Sequence, residues 1–264
     1  MDDIINAMNK EILSLIAAES GEAGVLCQRI GDKAPFVSVA AGRRFTSASV
    51  IKAAVLLTLL EYARLGRLSL EDTLQVRQAD ILPDSVPFEH GPRAAALREL
   101  AVWMITVSDN TATNVLIDAL GMDAVNGYCA KLGMRQTALR RKMLDFEARA
   151  AGRDNTTSPE DMFLLFERLF AGDILTPRLR GEAIDILRRV RDGEKFRRYI
   201  WESIPIAHKT GGLEGVSHDA GVFSFEAGDV YVGVFVEHSG AAEGSPRLIG
   251  RVARMVCDCF TRRG

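Results

Sequence analysis

Strand-like segments lie at both ends of this 264-residue chain, and a long helical block separates them. The segments with strand-like apolar patterning are residues 24–29, 35–41, 204–209, 219–226 and 230–237. The block between them, residues 49–196, is divided into helical stretches by glycines and prolines. Strands so distant in sequence can share one sheet only if the chain folds back on itself. The order therefore predicts an antiparallel sheet with an inserted helical lobe.

Terminal helices complete the predicted architecture. Apolar residues recur at helical spacing through residues 4–16, and a second helical pattern covers residues 246–260. We therefore expect an α+β fold, an α/β/α sandwich in which an antiparallel sheet is flanked by the N- and C-terminal helices. The predicted sheet lobe comprises residues 1–48 and 197–264, and the all-helical lobe comprises residues 49–196. Together the lobes would form one domain with the site in the cleft between them.

Composition and charge exclude several classes of function. The net charge is −2 and the isoelectric point is about 6.1, so no strong field attracts nucleic acid or an anionic membrane surface. No apolar run approaches the ~18 residues of a membrane span. The four histidines lack the spacing of a helical metal site, and we expect neither a metal nor another cofactor.

The cysteines and the N-terminus both bear on the cellular compartment. The cysteines are Cys27, Cys129, Cys257 and Cys259. Their spacing matches no zinc pattern, and we expect buried free thiols, which suit a reducing compartment. The N-terminus begins with acidic residues, Asp2 and Asp3, and lacks the basic segment of a signal peptide. A cytoplasmic protein is therefore expected unless a native leader has been replaced, and the sequence leaves the oligomeric state open.

The first chemical motif is Ser49-Val50-Ile51-Lys52, which begins a long apolar run. If that run is a helix, Ser49 and Lys52 lie one turn apart on the same face. The serine is then at the helix N-terminus, where backbone N–H groups favour a developing anion. Lys52 can take the proton of the serine hydroxyl if burial or a nearby cation destabilises its ammonium. Alone, however, this pattern is more often a helix-capping serine followed by a surface lysine.

Two further motifs accompany the first. Ser108-Asp109-Asn110 follows an apolar-periodic segment, and Lys209-Thr210-Gly211 follows a short apolar segment. With these three motifs in this order, the chain resembles the class A β-lactamases and the penicillin-binding D,D-peptidases. The resemblance covers nearly the whole chain and includes Phe45 and the segment Asn155-Thr156-Thr157-Ser158-Pro159. It implies a β-lactamase/transpeptidase-like fold and a serine acyl-hydrolase activity.

The motif side chains divide into a group that moves protons and a group that binds substrate. In the first group, Ser49 would attack a carbonyl and Lys52 would take or relay its proton. Ser108 would pass a proton to the leaving nitrogen. Asn110 would orient Lys52 or hold a substrate amide.

The second group surrounds the substrate. Lys209 and Thr210 would bind a substrate carboxylate, and Gly211 would leave room for substrate beside the strand. The oxyanion hole would use the backbone N–H of Ser49 and, as the resemblance implies, that of Gly212.

The chain departs from the class A β-lactamases at the base for deacylation. Those enzymes carry a glutamate in the Ω-loop that directs a water molecule onto the acyl-enzyme. Counting forward from Leu139 places that position at Met143, and counting back from Asn155 places it at Lys142. Neither side chain is a carboxylate, so the expected glutamate is missing.

Other residues could still supply the base or the substrate contact. Asp145 and Glu147 are candidate deacylation bases, and deacylation of a β-lactam adduct should be slow unless one of them or Lys52 acts. His218 is a candidate carboxylate contact, because many β-lactamases place an arginine there. It could do so only when protonated, and a structural role fits it equally well.

Three interpretations of the function remain open. The first is a serine acyl-hydrolase whose small-molecule substrate is a β-lactam, a D-Ala-D-Ala-like peptide, or a cytoplasmic amide or ester. The second is a non-catalytic β-lactam-binding sensor domain, for which a missing deacylation base is suited, although no membrane span or partner domain accompanies it. The third is a degenerate fold with a structural role, which the intact motifs argue against.

Overall fold

A computed structural model describes residues 2–19, 21–238, 240 and 244–261, with side chains for all of these except residues 2–4 and 244. The strands are β1 Glu22–Arg29, β2 Val37–Val39, β3 Phe45–Thr46, β4 Thr73–Val76, β5 Arg93–Ala96, β6 Thr156–Thr157, β7 Ile206–Leu213, β8 Val216–Phe225 and β9 Gly228–Glu237. The α-helices are α1 Asp2–Ala17, α2 Lys52–Arg64, α3 Leu97–Thr106, α4 Asn110–Leu120, α5 Met122–Lys131, α6 Phe146–Ala150, α7 Pro159–Ala171, α8 Pro177–Arg188 and α9 Gly244–Thr261. Short 3₁₀ turns span Ala48–Ile51, Gln78–Asp80, Val86–Phe88 and Phe196–Tyr199.

Five strands form the main sheet in the order β2-β1-β9-β8-β7, and every neighbouring pair is antiparallel. The two ends of the chain meet in this sheet, because β1 pairs with β9 from Glu22↔Glu237 to Arg29↔Val230. Strands β8 and β9 form a hairpin that closes at the pair Phe225↔Gly228. The predicted α+β class, with an antiparallel sheet and terminal helices, is confirmed.

The alternation of side chains along β9 places a separate core on each face of the sheet. Val230, Val232 and Val234 pack in a core that also contains residues of α1 and α9. Tyr231 and Phe235 point the other way and belong to the core shared with the helical lobe. A strand that is covered on both faces is apolar at nearly every position, which explains the uninterrupted run in the sequence.

Helix α2 is the centre of the helical lobe. All of its residues from 52 to 61 are buried, and a helix that is apolar on every side is expected to lie inside a bundle. The prediction of an all-helical lobe needs correction, because β4 and β5 pair within it and β6 pairs with β3. These ladders join only four and two residue pairs, too few for an alternating pattern to be recognised in the sequence.

Two predicted properties of the chain concern its helices and its thiols. No helix within the described residues has the length and apolar character needed to cross a membrane. All four cysteines are unpaired and buried, as expected from their spacing. The cytoplasmic location stays a prediction.

Candidate active site

Ser49 lies in the 3₁₀ turn that leads directly into α2. The preceding residue, Ala48, has a φ of 44°, a left-handed conformation that is strained for a residue with a side chain. The Ser47 N–H anchors the turn by donating to the Asn155 carbonyl at 2.8 Å. Ser49 is partly exposed while its neighbours on both sides are buried. The turn therefore presents one serine to a cleft at the start of a buried helix.

Lys52 follows on the first turn of α2, where its side chain is wholly buried. Its Nζ donates to the Ser108 carbonyl and to Asn110 Oδ1, both at 2.7 Å, and lies 3.2 Å from Ser108 Oγ. These contacts place Ser108 and Asn110 around the lysine, as their predicted roles require. None of them reaches Ser49 Oγ, so the first proton transfer needs the serine hydroxyl to turn toward the amine, as apo sites commonly require.

Lys209, which lies on β7 of the main sheet, also contacts the Ser108 hydroxyl. Its Nζ donates to Ser108 Oγ at 3.1 Å and to the Thr210 carbonyl at 2.8 Å. Ser108 Oγ thus lies between two buried lysines, in a turn where Ser108 has a φ of 55°. Asp109 fixes this turn, because its carboxylate accepts from the Ala112 N–H at 2.7 Å and caps α4. The hydroxyl is placed to pass a proton between Lys52 and a leaving group.

Burial depresses the pKa of both lysines. For Lys52 burial is the main cause of a pKa well below the usual value, the positive charge of Lys209 adds to it, and Asp109 opposes it. For Lys209 burial is again the main cause, and with the neighbouring Lys195 it lowers the pKa to about 7. Burial therefore disfavours the charged form of Lys52 and favours the neutral amine that can act as a base.

The residues after Lys209 let β7 pass close to the nucleophile turn. A Cβ atom at Gly211 would lie 3.0 Å from Val50 Cγ2 and 3.2 Å from the Ser47 carbonyl, so a side chain there would push the two segments apart. Thr210, beside it, is 7% exposed. Gly212 borders the same cavity as Ser49. The backbone N–H groups of these two residues are the ones predicted to form an oxyanion hole there.

Lys195 is a third buried lysine, which the sequence did not point to. Its Nζ donates to the Gly211 carbonyl at 2.7 Å, and burial lowers its pKa. The next residue, Phe196, positions Lys195, because its N–H donates to buried Asp219 Oδ2 at 3.2 Å. Asp219 Oδ1 in turn lies 2.8 Å from His208 Nδ1. Lys195 lies in a loop without periodic apolar patterning, so no local sequence pattern indicated these long-range contacts.

An Ω-loop of residues 139–155 lies between α5 and β6 and forms the opposite wall of the cleft. Arg141 and Asp154 close its neck through an ion pair of 2.7 Å. The Asn155 side chain accepts from the Arg140 and Arg141 N–H groups at 2.7 and 3.0 Å. Inside the loop, Asn114 of α4 accepts from the Met143 N–H at 2.7 Å. These contacts fix the loop against the helical lobe.

A cavity of about 100 Å³ separates this loop from the nucleophile turn. Its lining comprises Ala48, Ser49, Asn110, Arg141, Met143, Leu144, Phe146, Asn155, Gly212 and Leu213. Met143 and Leu144 are the loop residues that face it nearest the expected base position, whereas Lys142 turns away to an ion pair with Asp118 at 2.6 Å. None of the described residues that line this cavity carries a carboxylate.

The two candidate deacylation bases lie outside the cavity. Asp145 is exposed, and its carboxylate accepts from the Ala148 N–H at 2.9 Å, which caps α6. Glu147 is also exposed, on the first turn of the same helix. Their action as bases stays a prediction, since neither carboxylate borders Ser49 in this structure.

His218 lies in the core beneath the nucleophile turn. The ring is wholly buried and stacks on Phe235 with centroids 4.5 Å apart. Its Nε2 is 2.7 Å from the Thr46 carbonyl, and its Nδ1 accepts from the Val236 N–H at 3.1 Å. Burial lowers the pKa of His218 to about 3. Nδ1 also lies 2.8 Å from the Ser217 carbonyl. Backbone groups thus contact both ring nitrogens of a buried side chain, so His218 is not placed to bind a substrate carboxylate.

One group of side chains in the described part of the chain has the spacing of a metal site. It consists of Glu22, Glu237 and His238, whose ligand atoms lie within 4.8 Å of one another. Arg43 already pairs with Glu22, and the Thr46 N–H donates to Glu237. The protein itself therefore provides partners for this group, which lies outside the serine–lysine site.

Comparison with known proteins identifies the family. A family model described as the Beta-lactamase enzyme family matches residues 7–260. The β-lactamase of Rhodobacter capsulatus is 37% identical over 150 residues, and that of Streptomyces albus G is 35% identical over 130 residues. These alignments cover 54% and 48% of this chain but only 50% and 41% of those proteins. The chain thus spans about half the length of these curated relatives.

Solved structures extend the similarity to nearly the whole chain. A β-lactamase from Sphaerobacter thermophilus DSM 20745 superposes with a TM-score of 0.87 and 28% identity, covering 96% of this chain and 97% of that chain. A mutant of PBP-A, solved as an acyl-enzyme complex with penicillin G, superposes with a TM-score of 0.86 and 30% identity, covering 97% of both chains. The chain belongs to the beta-lactamase enzyme family, a family of serine hydrolases, and has its fold.

Proposed function

We propose that the protein is a serine acyl-hydrolase of the class A β-lactamase type that acylates readily and deacylates slowly. Its substrate is a β-lactam or a related amide or ester with a carboxylate. The observation that carries this proposal is the contrast around Ser49. Two buried lysines meet at Ser108 on one side. On the other lies a cavity where Met143 and Leu144 face the expected base position and no described lining residue is a carboxylate.

Acylation uses the groups on the lysine side. Ser49 Oγ attacks the carbonyl carbon, and neutral Lys52 takes the hydroxyl proton. The backbone N–H groups of Ser49 and Gly212 stabilise the oxyanion. The carbon–nitrogen bond then breaks, Ser108 passes the proton from Lys52 to the leaving nitrogen, and Lys209 with Thr210 holds the carboxylate.

Deacylation requires a base that removes a proton from water beside the ester. Met143 and Leu144 form the wall where that water would lie, and neither side chain can accept a proton. Lys52 is the remaining group, and its contacts are directed to Ser108 and Asn110. The acyl-enzyme is therefore expected to accumulate.

Intact-protein mass spectrometry after incubation with penicillin G tests the proposal. We expect a lasting adduct that adds the mass of one penicillin G and maps to Ser49. The Ser49→Ala variant should keep its circular dichroism spectrum and show no adduct. Rapid loss of penicillin G without an adduct would contradict slow deacylation, and absence of both adduct and penicillin loss would contradict the serine acyl-hydrolase assignment.

A penicillin-binding D,D-peptidase is the second candidate, because the structure of PBP-A covers 97% of this chain at 30% identity and was solved with penicillin G as an acyl-enzyme. A peptide ending in D-alanyl-D-alanine distinguishes the candidates. Release of the terminal D-alanine at a rate above that of penicillin turnover favours the peptidase.

A further inference from the structure

A groove of about 530 Å³ lies on the sheet lobe, and it shares no lining residue with the cavity beside Ser49. Its volume falls within the range of small-molecule sites, about 300–1,000 Å³. Helices α1 and α9, which pack in the same core, border it together with the segment that precedes β7. The lining includes Glu11, Tyr199, Trp201, Arg251, Arg254 and Met255. We call it the α1–α9 groove.

Trp201 gives the α1–α9 groove a large aromatic surface. It is 80% exposed, more than any other large apolar side chain in the described part of the chain. The guanidinium of Arg254 lies 5.3 Å from the centre of its ring. Arg254 also donates to the Tyr199 carbonyl at 3.4 Å and to the Glu202 carboxylate at 2.7 Å, so it fastens the residues on both sides of Trp201. An aromatic ring that the fold holds in solvent is commonly a ligand contact.

The α1–α9 groove also presents one charge of each sign that the protein does not neutralise. Arg254 is paired with Asp258, and Arg247 has contacts of its own. By contrast, the exposed side chains of Glu11 and Arg251 have no hydrogen-bond or ion-pair partner among the described residues. The carboxylate comes from α1 and the guanidinium from α9. Both remain available to a ligand that enters between the two helices.

These three features together select one class of ligand. An anion without a positive group would face a like charge at Glu11, and a cation without a negative group would face one at Arg251. We propose that the α1–α9 groove binds a small aromatic zwitterion, an amino acid whose ring stacks on Trp201. Its carboxylate pairs with Arg251 and its ammonium with Glu11. This site is independent of the acyl-hydrolase function proposed for Ser49.

Trp201 can report on its own ligand. The chain has two tryptophans, Trp103 and Trp201, so Trp103→Phe leaves Trp201 as the single fluorescent indole. The emission of Trp201 in this variant is followed while L-phenylalanine is added. We expect a saturable change with a dissociation constant on the order of 1 mM, as is typical of a small ligand in an open groove.

Two analogues that each lack one charged group test the zwitterion. The compound 2-phenylethylamine lacks the carboxylate, and 3-phenylpropanoate lacks the ammonium. Each should bind about fivefold more weakly than L-phenylalanine, which is the upper range for an exposed ion pair.

Variants in the Trp103→Phe protein assign each preference to its residue. Arg251→Gln should bind L-phenylalanine no better than 2-phenylethylamine, and Glu11→Gln should bind it no better than 3-phenylpropanoate. The matched control is Arg189→Gln, which removes an exposed arginine after α8 that does not line the groove. It should keep both preferences.

Three results would overturn the proposal. The first is the absence of a saturable change in Trp201 emission with L-phenylalanine. The second is equal affinity for all three compounds, and the third is a pair of preferences that neither Arg251→Gln nor Glu11→Gln alters. Acylation of Ser49 is unaffected by any of these results, because the groove and the cavity have no lining residue in common.

Discussion

The two walls of the cleft differ in what they offer to a reaction. The motif wall concentrates proton-transfer groups, with Lys52 and Lys209 on either side of Ser108 Oγ at 3.2 and 3.1 Å. The Ω-loop wall presents Met143 and Leu144 to the cavity, and none of its carboxylates is among the described residues that line it. Under the proposed function, acylation draws on the first wall and hydrolysis of the acyl-enzyme on the second. One site can therefore be complete for the first half of a reaction and incomplete for the second.

Specific contacts hold both walls in place, and the difference between them lies in the chemistry of their side chains. The motif wall is buried in α2 and β7, while Asn114 and Asn155 clamp the Ω-loop through their side-chain amides. A rigid apolar wall is a feature that substitution can change without loosening the cleft. Predictions on each wall therefore test the comparison separately.

The largest expected effect comes from removing the base on the motif wall. Lys52→Met should lower the acylation rate constant by about 10³-fold, since general-base catalysis contributes about 10²–10⁴-fold. The rate constant is measured by intact mass with penicillin G. The matched variant Lys142→Met removes an Ω-loop lysine that pairs with Asp118 on the surface and should acylate at the wild-type rate. Near-normal acylation of Lys52→Met would remove Lys52 from the mechanism.

A carboxylate placed on the apolar wall should speed deacylation. Leu144→Glu puts a candidate base into the cavity beside Ser49, and decay of the acyl-enzyme should accelerate by about 10²-fold. Decay is followed by mass after free penicillin is removed. Ala150→Glu, which introduces the same charge at an exposed position of the Ω-loop outside the cavity lining, is the control. Equal acceleration in both variants would point to a general effect of charge on the loop.

The buried lysine of the sheet should make stability depend on pH. Lys209 has a pKa of about 7 in the folded protein against 10.5 for a free side chain, because of burial and the nearby Lys195. Between those values the unfolded chain binds more protons, so the free energy of unfolding rises with pH across this window. Below it, the folded protein bears the full cost of a buried charge.

Lys209→Met removes that cost together with the substrate contact. At about pH 6 the variant should be more stable than the wild type by roughly 2–4 kcal/mol, and the difference should shrink as the pH rises toward 10.5. Chemical denaturation at several pH values measures it. A stability difference that is constant with pH would show that Lys209 is not the group that titrates.

The sequence predicted the motif wall better than the Ω-loop wall, for physical reasons. In the sequence, each of the three motifs adjoins a strongly patterned segment, and such segments can be placed in one cleft by topology alone. Residue counting left the base position between Lys142 and Met143, because a loop has no period to fix which side chain faces inward. The structure turns Lys142 to the surface and Met143 to the cavity.

Long-range contacts account for what sequence reasoning missed. Lys195 reaches β7 only because the N–H of the next residue, Phe196, bonds to Asp219 on β8. His218 is an inward residue on an inner strand, and its ring is buried against Phe235. Each position depends on partners that are remote in the chain, so neither a local motif nor an apolar period could reveal it.

The smallest expected effect concerns the two carboxylates closest to the apolar wall. Asp145→Asn and Glu147→Gln remove the charges while keeping the shapes, and the asparagine retains an oxygen for the Ala148 N–H that caps α6. Because both side chains are exposed and outside the cavity, the deacylation rate should stay within about twofold of the wild type. The decay of the penicillin G acyl-enzyme measures this rate. A tenfold slower decay, on the order expected for loss of a general base, would mean that the Ω-loop rearranges after acylation to bring a carboxylate to Ser49. The contrast between the two walls would then describe the free protein only.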